Sequence, residues 1–366
     1  MDNKTANSAA RGARSGRRTR ATCLLLAALV ALAAVVGGVY GLRRASEKRA
    51  LELLLRACAR QSPVIAEAVI RTKLATGWAE RKARIEQRAG RRRTEFVEAG
   101  QRVVLLDDGQ RRWRLEEKRH LATLLGPSQR LADSALFAKN YAVQTQGRET
   151  VAGHEALRLA VRCRRTGRIA FRVWVEPTRA VILRYDTFDA EGELAAQTVL
   201  VSADLTATPD EQRLSLPPDY RIVKPEQTTG TQMTPARFSS QADFSPRPPE
   251  ELPRGYVWQG LYAYRCPHGR LYAEFRYTDG LRVLSVFERH PRGGGRGRGP
   301  APTGERGRWG RAWRDRPGPP SSSAPVLIDS GLTKSLRQRR GDLVVVVTGD
   351  LSLRELVRVL LSVPEN

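Results

Sequence analysis

The stretch AEFRYTDGLRVLSVFERH, Ala273 to His290, decides the fold class of the carboxyl-terminal part of this chain. Two β-type runs flank Asp279-Gly280, a dipeptide that favours the tight turn of a hairpin. The neighbouring segments YVWQGLYAYR, RLYAEFRYTDG and DLVVVVTG also read as strands, and LSLRELVRVLLSV follows as a helix. We expect this hairpin to be scaffold of a small domain over residues 252–366, with the apolar stripe Leu353, Leu356, Val357, Leu360 and Leu361 of the helix packed across its sheet.

Upstream, residues 46–205 predict a larger antiparallel sheet. One amphipathic helix in SEKRALELLLRACAR precedes a series of short alternating runs, among them VIAEAVIRTKL and RIAFRVWV. Turn signals separate these runs, for example Asp107-Asp108-Gly109. The leading helix and a helical insertion within 128–139 are the candidates to cover the sheet. Residues 206–251, rich in Pro, Thr, Ser and Gln, predict an interdomain linker, and residues 291–325 predict a disordered Arg/Gly/Pro insertion.

The amino-terminal region predicts a membrane-targeting segment. Residues 1–21 form a basic tail, and residues 22–42 are an uncharged run long enough to cross a bilayer as a helix. We expect a signal anchor in the inner membrane, with a cleaved signal peptide as the alternative. The body is then periplasmic or extracytoplasmic.

The net charge and the absence of catalytic and metal-binding motifs limit the classes of function that this sequence can have. The chain of 366 residues carries a net charge of +25, but only eight of its 63 basic residues are lysine, an arginine bias that a GC-rich genome also produces. No GxSxG, GxxxxGK[ST] or HExxH motif occurs, and the four histidines are scattered singly. The spacing of the four cysteines matches no zinc site. We predict no enzyme activity, no metal, no cofactor and no nucleic-acid binding. A Cys58–Cys163 disulfide is conceivable, with unpaired thiols as the favoured state.

The motifs resemble those of the MucB/RseB family of periplasmic regulators of the envelope-stress sigma factor. In the first domain, the step V-A-G-H-E-A at 151–156 and the segment FRVWVEPTRAVILRYDTFDAEG at 171–192 are similar to family patterns, the second of which is shared with LolA- and LolB-type lipoprotein carriers. In the second domain LPRGY, YTDGLRVLSVFE and VVVVTGDLSLRELVRVLLSV follow the family order. The positions that carry these motifs are Gly153, Trp174, Glu176, Asp279, Gly280, Leu281, Ser285, Val286 and Phe287.

The resemblance implies an α+β protein: a LolA-like antiparallel half-barrel wrapped around helices, followed by a smaller α/β domain. It implies a regulator that binds the periplasmic part of a membrane-spanning anti-sigma factor, shields it from proteolysis and senses lipid, lipoprotein or lipopolysaccharide acyl chains in an apolar cleft. The alternative is a LolA/LolB-type lipid or lipoprotein carrier. Strand alternation makes six residues candidates to line the cleft: Phe171, Val173, Val175, Val181, Leu183 and Tyr185.

Overall fold

The computed structural model of the protein describes residues 44–74, 76–128, 133–224, 230–265, 271–290, 325–329 and 333–365. The predicted signal anchor at 22–42 and residues 291–324 of the predicted insertion at 291–325 lie outside these ranges. Among the described residues, no helix has both the length and the apolar character that a membrane crossing requires. Residues 51–366 form one compact unit, and both sheets of the protein belong to it.

The first sheet has twelve strands. Helix α1, over residues 44–58, precedes it, and a short 3₁₀ helix, Glu117–Arg119, and helix α2, Ser134–Asn140, interrupt the strand series. The strands are β1 Val64–Leu74, β2 Gly77–Arg88, β3 Arg91–Glu98, β4 Gln101–Asp107, β5 Arg111–Glu116, β6 Leu121–Pro127, β7 Tyr141–Val151, β8 His154–Cys163, β9 Ile169–Glu176, β10 Val181–Phe188, β11 Leu194–Asp204 and β12 Arg221–Val223. Their spatial order is β12-β6-β5-β4-β3-β2-β1-β11-β10-β9-β8-β7.

Short hairpin turns make this sheet antiparallel, as the sequence predicts. The one parallel pair among the described strands is β12 with β6. Buried residues of β1, β2, β9 and β10, including Ile85 and Trp174, share one apolar cluster. A second cluster on β4, β5 and β6 is covered by Leu216 and Tyr220 of the segment that leads into β12. The sheet is therefore covered in part by chain that the sequence assigns to a linker.

The second sheet has seven strands in the order β13-β14-β15-β16-β19-β18-β17. Two helices accompany it, α3 Pro235–Ser239 and α4 Leu353–Leu361. Its strands are β13 Thr231–Met233, β14 Val257–Arg265, β15 Leu271–Thr278, β16 Val283–Arg289, β17 Val326–Asp329, β18 Lys334–Arg340 and β19 Leu343–Gly349. The described pairs in this sheet are antiparallel, and tight turns join β15 to β16 and β18 to β19. The domain is thus an antiparallel sheet with helices packed on it, an α+β arrangement that differs from the α/β class implied by the resemblance.

The helix α4 packs on the second sheet through a stripe that differs from the predicted one. Leu356, Val359 and Leu360 are buried in the core of this sheet, whereas Leu353 and Leu361 are 45% and 55% exposed. The buried set follows the i, i+3, i+4 spacing of one helix face, so the face that meets the sheet is centred on Leu360. A capping box of Ser352 and Glu355 fixes the start of the helix.

Residues 206–251 contain ordered structure. Strand β12 joins the first sheet, β13 joins the second, and Phe238 and Phe244 lie in the core of the second sheet. The predicted boundaries of the two domains remain predictions. Residues 206–251 contribute strands and core side chains to the two sheets in addition to connecting them.

Candidate functional site

The Asp279-Gly280 turn between β15 and β16 is locked by its own side chains. The Asp279 Oδ1 atom accepts hydrogen bonds from the backbone N–H groups of Leu281 at 3.0 Å and Arg282 at 2.7 Å. The Thr278 hydroxyl accepts from the N–H of Gly280 at 3.0 Å. Gly280 adopts φ +91°, in the left-handed region that glycine tolerates without strain. The local sequence therefore explains the shape of this turn.

The turn is also the place where the two sheets meet. At the end of α2, the Asn140 side-chain N–H group donates to the backbone oxygens of Gly255 and Asp279, both at 2.9 Å. The Tyr141 hydroxyl donates to Asp279 Oδ2 at 2.5 Å. Gly280 faces the backbone of α2 so closely that a Cβ atom there would lie 2.5 Å from the Phe137 nitrogen. The hairpin at Asp279-Gly280 thus connects the second sheet to the first. We call its contacts with Asn140, Tyr141 and α2 the joint.

Burial keeps the Tyr141 hydroxyl protonated. Desolvation is the main cause that raises the pKa of Tyr141 far above its ordinary value, and the neighbouring charge of Asp279 raises it further. The hydroxyl is therefore a permanent donor to the Asp279 carboxylate. The same Asp279 carboxylate also accepts the backbone hydrogen bonds that fix the 279–282 turn. One carboxylate therefore couples the hairpin to the first sheet.

Ion pairs extend this joint. Arg282 contacts Asp350 with an Nε–Oδ2 distance of 2.8 Å and donates to the backbone oxygen of Phe188 at 3.2 Å. Lys334 pairs with Glu191 in the β10–β11 turn, and Arg165 pairs with Glu355 at 2.8 Å. These contacts tie the β8–β9 and β10–β11 turns of the first sheet to the second.

The Asp350 carboxylate accepts the backbone N–H of Ala190 as well as the Arg282 contact. Burial raises the pKa of Asp350 to about 6, although its two partners oppose that shift. Desolvation of this carboxylate therefore outweighs the attraction of Arg282, and the group titrates near neutral pH.

A cleft of about 560 Å³ opens beside the joint. Its wall is strongly charged, with six basic residues (Lys139, Arg164, Arg165, Arg168, Arg254 and Arg282) and four acidic ones (Asp189, Asp279, Asp350 and Glu355). The Tyr256 hydroxyl in this wall is buried and has no hydrogen-bond partner among the described residues. An opening of this size and polarity suits a charged peptide segment better than an acyl chain. We call it the inter-sheet cleft.

The remaining motif residues of the second sheet have structural surroundings. The Ser285 hydroxyl donates to the buried carboxylate of Glu274 at 2.6 Å, and Arg276 pairs with the same carboxylate at 2.7 Å. Val286 is fully buried in the core, and the half-buried Phe287 ring lies 6.5 Å from that of Tyr264. These positions build the sheet that carries the turn.

The motif residues of the first sheet also fix turns and strands. Gly153 has φ +80° in the β7–β8 turn. Trp174 donates through Nε1 to Glu149 at 2.8 Å, and the Arg184 guanidinium lies 4.1 Å from its ring centroid. Glu176 accepts backbone N–H groups of Thr178 and Arg179 and so closes the β9–β10 turn.

The six candidates for a lipid cleft lie on β9 and β10. Val173, Val175, Val181 and Leu183 are buried, and Phe171 and Tyr185 are half-buried. Tyr185 is paired with Val173, whereas Val181 is paired with Glu176. A bulge between Ile182 and Arg184 interrupts the alternation from which the six were chosen. Their role as a cleft lining stays a prediction.

Sequence patterns missed Asn140, Tyr141 and Arg282. Asn140 is the last residue of α2, and no sequence pattern indicates its distant partners Gly255 and Asp279. Arg282 and Asp350 are 68 positions apart and follow two different strands. Only the fold brings them together.

Cysteines and acidic clusters offer no further chemistry in the described part of the chain. Cys58 and Cys163 are both free and half-buried, and burial raises the pKa of the Cys58 thiol. Within the described ranges, no group of His, Cys, Asp and Glu side chains could hold a metal ion. Cys266 lies outside those ranges.

Comparisons with known proteins agree with this architecture. Residues 74–219 match the family model of the MucB/RseB N-terminal domain. A crystal structure of MucB in complex with MucA(peri) matches with a TM-score of 0.57 at 20% identity, over 86% of this chain and 98% of that chain. The Pseudomonas aeruginosa MucA/MucB complex gives 0.58 at 20% identity, over 87% and 99%. A crystal structure of MucB gives a TM-score of 0.51 at 20% identity, over 88% of this chain and 98% of that chain.

At this identity the structural matches establish the fold, and they extend over both sheets. The search of curated proteins found no significant match. The family model spans the first-domain motifs at 151–156 and 171–192, and the shared fold extends to the second sheet. Residues 74–219 therefore resemble the MucB/RseB N-terminal domain and the chain shares the fold of MucB, which confirms the predicted resemblance.

Proposed function

We propose that this protein is a non-enzymatic regulator that binds the extracytoplasmic part of a membrane-spanning anti-sigma factor. The observation that supports this most is the fold match to MucB chains crystallised with MucA, because it covers 86–87% of the chain and so includes both sheets. A periplasmic location and an anchor at 22–42 belong to the same proposal.

The inter-sheet cleft is the proposed contact surface. It is lined by six basic and four acidic residues, and most of the acids are already occupied by partners within the protein, for example Glu355 by Arg165. Arg254 is exposed and makes no ion pair among the described residues. The cleft thus offers spare positive charge, which suits an acidic segment of the partner.

Lipid sensing is a second part of the proposal. Acyl chains would bind along β9 and β10, at Phe171, Tyr185 and their neighbours. Each methylene of a guest chain that leaves water contributes about 0.8 kcal/mol, so a few carbons decide occupancy. Occupancy would then change the affinity for the anti-sigma factor and its protection from proteolysis.

A photo-crosslinking experiment tests the proposal in the full chain. A photoreactive amino acid at Arg254, in the cleft, should capture a single-span anti-sigma factor in native membranes. The same probe at Arg84, an exposed position on the first sheet, is the matched control and should capture none. Recovery of lipoproteins alone from both positions would contradict the proposal and favour a lipoprotein carrier.

The location of the body is checked separately. A reporter fused after Asn366 should be active only outside the cytoplasm. Activity inside the cytoplasm would contradict the periplasmic location.

A further inference from the structure

The β1–β2 hairpin projects beyond the strand next to it. Strands β1 and β2 pair from Val64–Gln87 to the last pair, Leu74–Gly77. Strand β3 pairs with β2 only as far as Ala83. Strand β3 ends at Glu98, whose carboxylate lies 3.0 Å from the Arg81 guanidinium, so in the described structure residues 77–80 of β2 have β1 as a neighbour but not β3. The tip of this hairpin extends beyond the end of β3.

Three large apolar side chains are exposed at this end. Leu74 is 39%, Trp78 49% and Val97 66% exposed. Ala83 and Phe96 pair with each other and are buried in one cluster, so the next residue of each strand, Lys82 and Val97, points to the opposite, solvent face. Trp78 is four residues from Lys82 on the same strand and shares that face, whereas Leu74 pairs with Gly77 and so points to the other face. We call Trp78 and Val97 the hairpin patch.

Basic side chains surround the hairpin patch. Residues 71–84 contain five basic side chains and one acidic side chain. Three of the basic side chains are held in ion pairs: Arg71 with Glu80, Arg81 with Glu98 and Arg84 with Glu86. Lys73 is paired directly with Trp78 across the strands, and neither Lys73 nor Lys82 makes an ion pair in the described part of the chain. Positive charge is therefore free beside the exposed indole.

We propose that the hairpin patch docks on the surface of an anionic lipid membrane, with Trp78 at the level of the head groups. Exposed indole rings favour the membrane interface because they combine an apolar ring with a hydrogen-bond donor. Lysine and arginine beside them are attracted to anionic lipids. The charge of the hairpin selects this occupant over an uncharged apolar protein surface. This inference is independent of the proposed partner of the inter-sheet cleft.

Quenching by brominated lipid tests the proposal on the full chain. The protein is placed in vesicles of equal parts phosphatidylcholine and phosphatidylglycerol, with the phosphatidylcholine brominated on its acyl chains. The lipid should quench a component of the tryptophan emission that Trp78→Phe removes. Trp258→Phe is the matched control, since Trp258 is also 49% exposed but lies on the second sheet, and it should leave that component in place.

A charge variant completes the design. The double substitution Lys73→Gln/Lys82→Gln keeps the indole and should weaken the Trp78 component, as should vesicles of phosphatidylcholine alone. Equal quenching in the wild type and in Trp78→Phe would overturn the proposal. So would a dimer that Trp78→Phe converts to a monomer in sedimentation without any change in quenching, because the patch would then cover a second copy of the chain.

Discussion

Gly280→Ala is the substitution that most directly probes the joint between the sheets. The residue has φ +91°, and its missing Cβ would lie 2.5 Å from the Phe137 nitrogen and 2.9 Å from the Phe137 Cα. Both neighbouring atoms belong to the backbone of α2, so no side-chain rotation can relieve the contact. The turn and the helix must move apart for an alanine to fit.

The expected cost has two parts. The positive φ costs an alanine about 1–2 kcal/mol. The overpacked contact with α2 costs about 1–3 kcal/mol more. Gly153→Ala separates the two parts, because Gly153 has a similar φ of +80° and no atom within 4 Å of its would-be Cβ. We therefore expect Gly280→Ala to lower the free energy of unfolding by about 2–5 kcal/mol and Gly153→Ala by about 1–2 kcal/mol.

Urea denaturation followed by tryptophan fluorescence measures both losses. Hydrogen exchange then locates the effect: in Gly280→Ala the amides of α2 and of the turn at 279–282 should exchange faster, and those of the β7–β8 turn should not. Equal losses of stability in the two variants would refute the close packing of the turn against α2.

Three further predictions concern other parts of the fold. Tyr141→Phe removes the hydrogen bond to the Asp279 carboxylate and should lower the free energy of unfolding by about 1.5–3 kcal/mol; an unchanged urea midpoint would contradict that bond. Burial raises the pKa of Glu288 from its ordinary 4.5 to about 7, so the folded state holds an extra proton between these values and its stability should fall as pH rises through this window. Asp350, with its pKa raised to about 6, adds a slope of the same sign below that pH, so Glu288→Gln should remove the slope between about pH 6 and 7 and stabilise the protein at pH 8 by on the order of 2–3 kcal/mol. An unchanged slope between pH 6 and 7 in urea titrations would count against it. Leu356→Ala should cost about 2–5 kcal/mol and Leu353→Ala less than about 0.5 kcal/mol, whereas similar losses would mean that the buried face of α4 is misassigned.

Local chemistry predicts much of the fold. Strand β1 coincides with the run VIAEAVIRTKL, and the hairpin at Asp279-Gly280 forms where the dipeptide indicates it. Tight turns and strand alternation act over a few residues, so one sequence suffices to detect them. The sequence predicts the buried face of α4 less accurately, because contact with the sheet decides which of several adjacent leucines is buried.

The candidate site could not be predicted in the same way. The joint depends on contacts between distant residues, such as Tyr141 with Asp279 and Arg282 with Asp350. Neither pair forms a sequence motif, because its two residues are far apart in the chain and come together only in the folded protein. The linker prediction met the same limit: the polar composition of 206–251 conceals Phe238, which is fully buried in the second core.

Binding to a purified partner tests the central claim most directly. The extracytoplasmic segment of the anti-sigma factor captured at Arg254 should bind the full chain, and reversing the charge of the cleft with Arg254→Glu should weaken that binding, while Arg84→Glu on the first sheet leaves it unchanged. Isothermal titration calorimetry measures all three affinities. Equal affinities for the wild type and Arg254→Glu, or no binding at all, would contradict the account of the inter-sheet cleft as the surface that holds an anti-sigma factor.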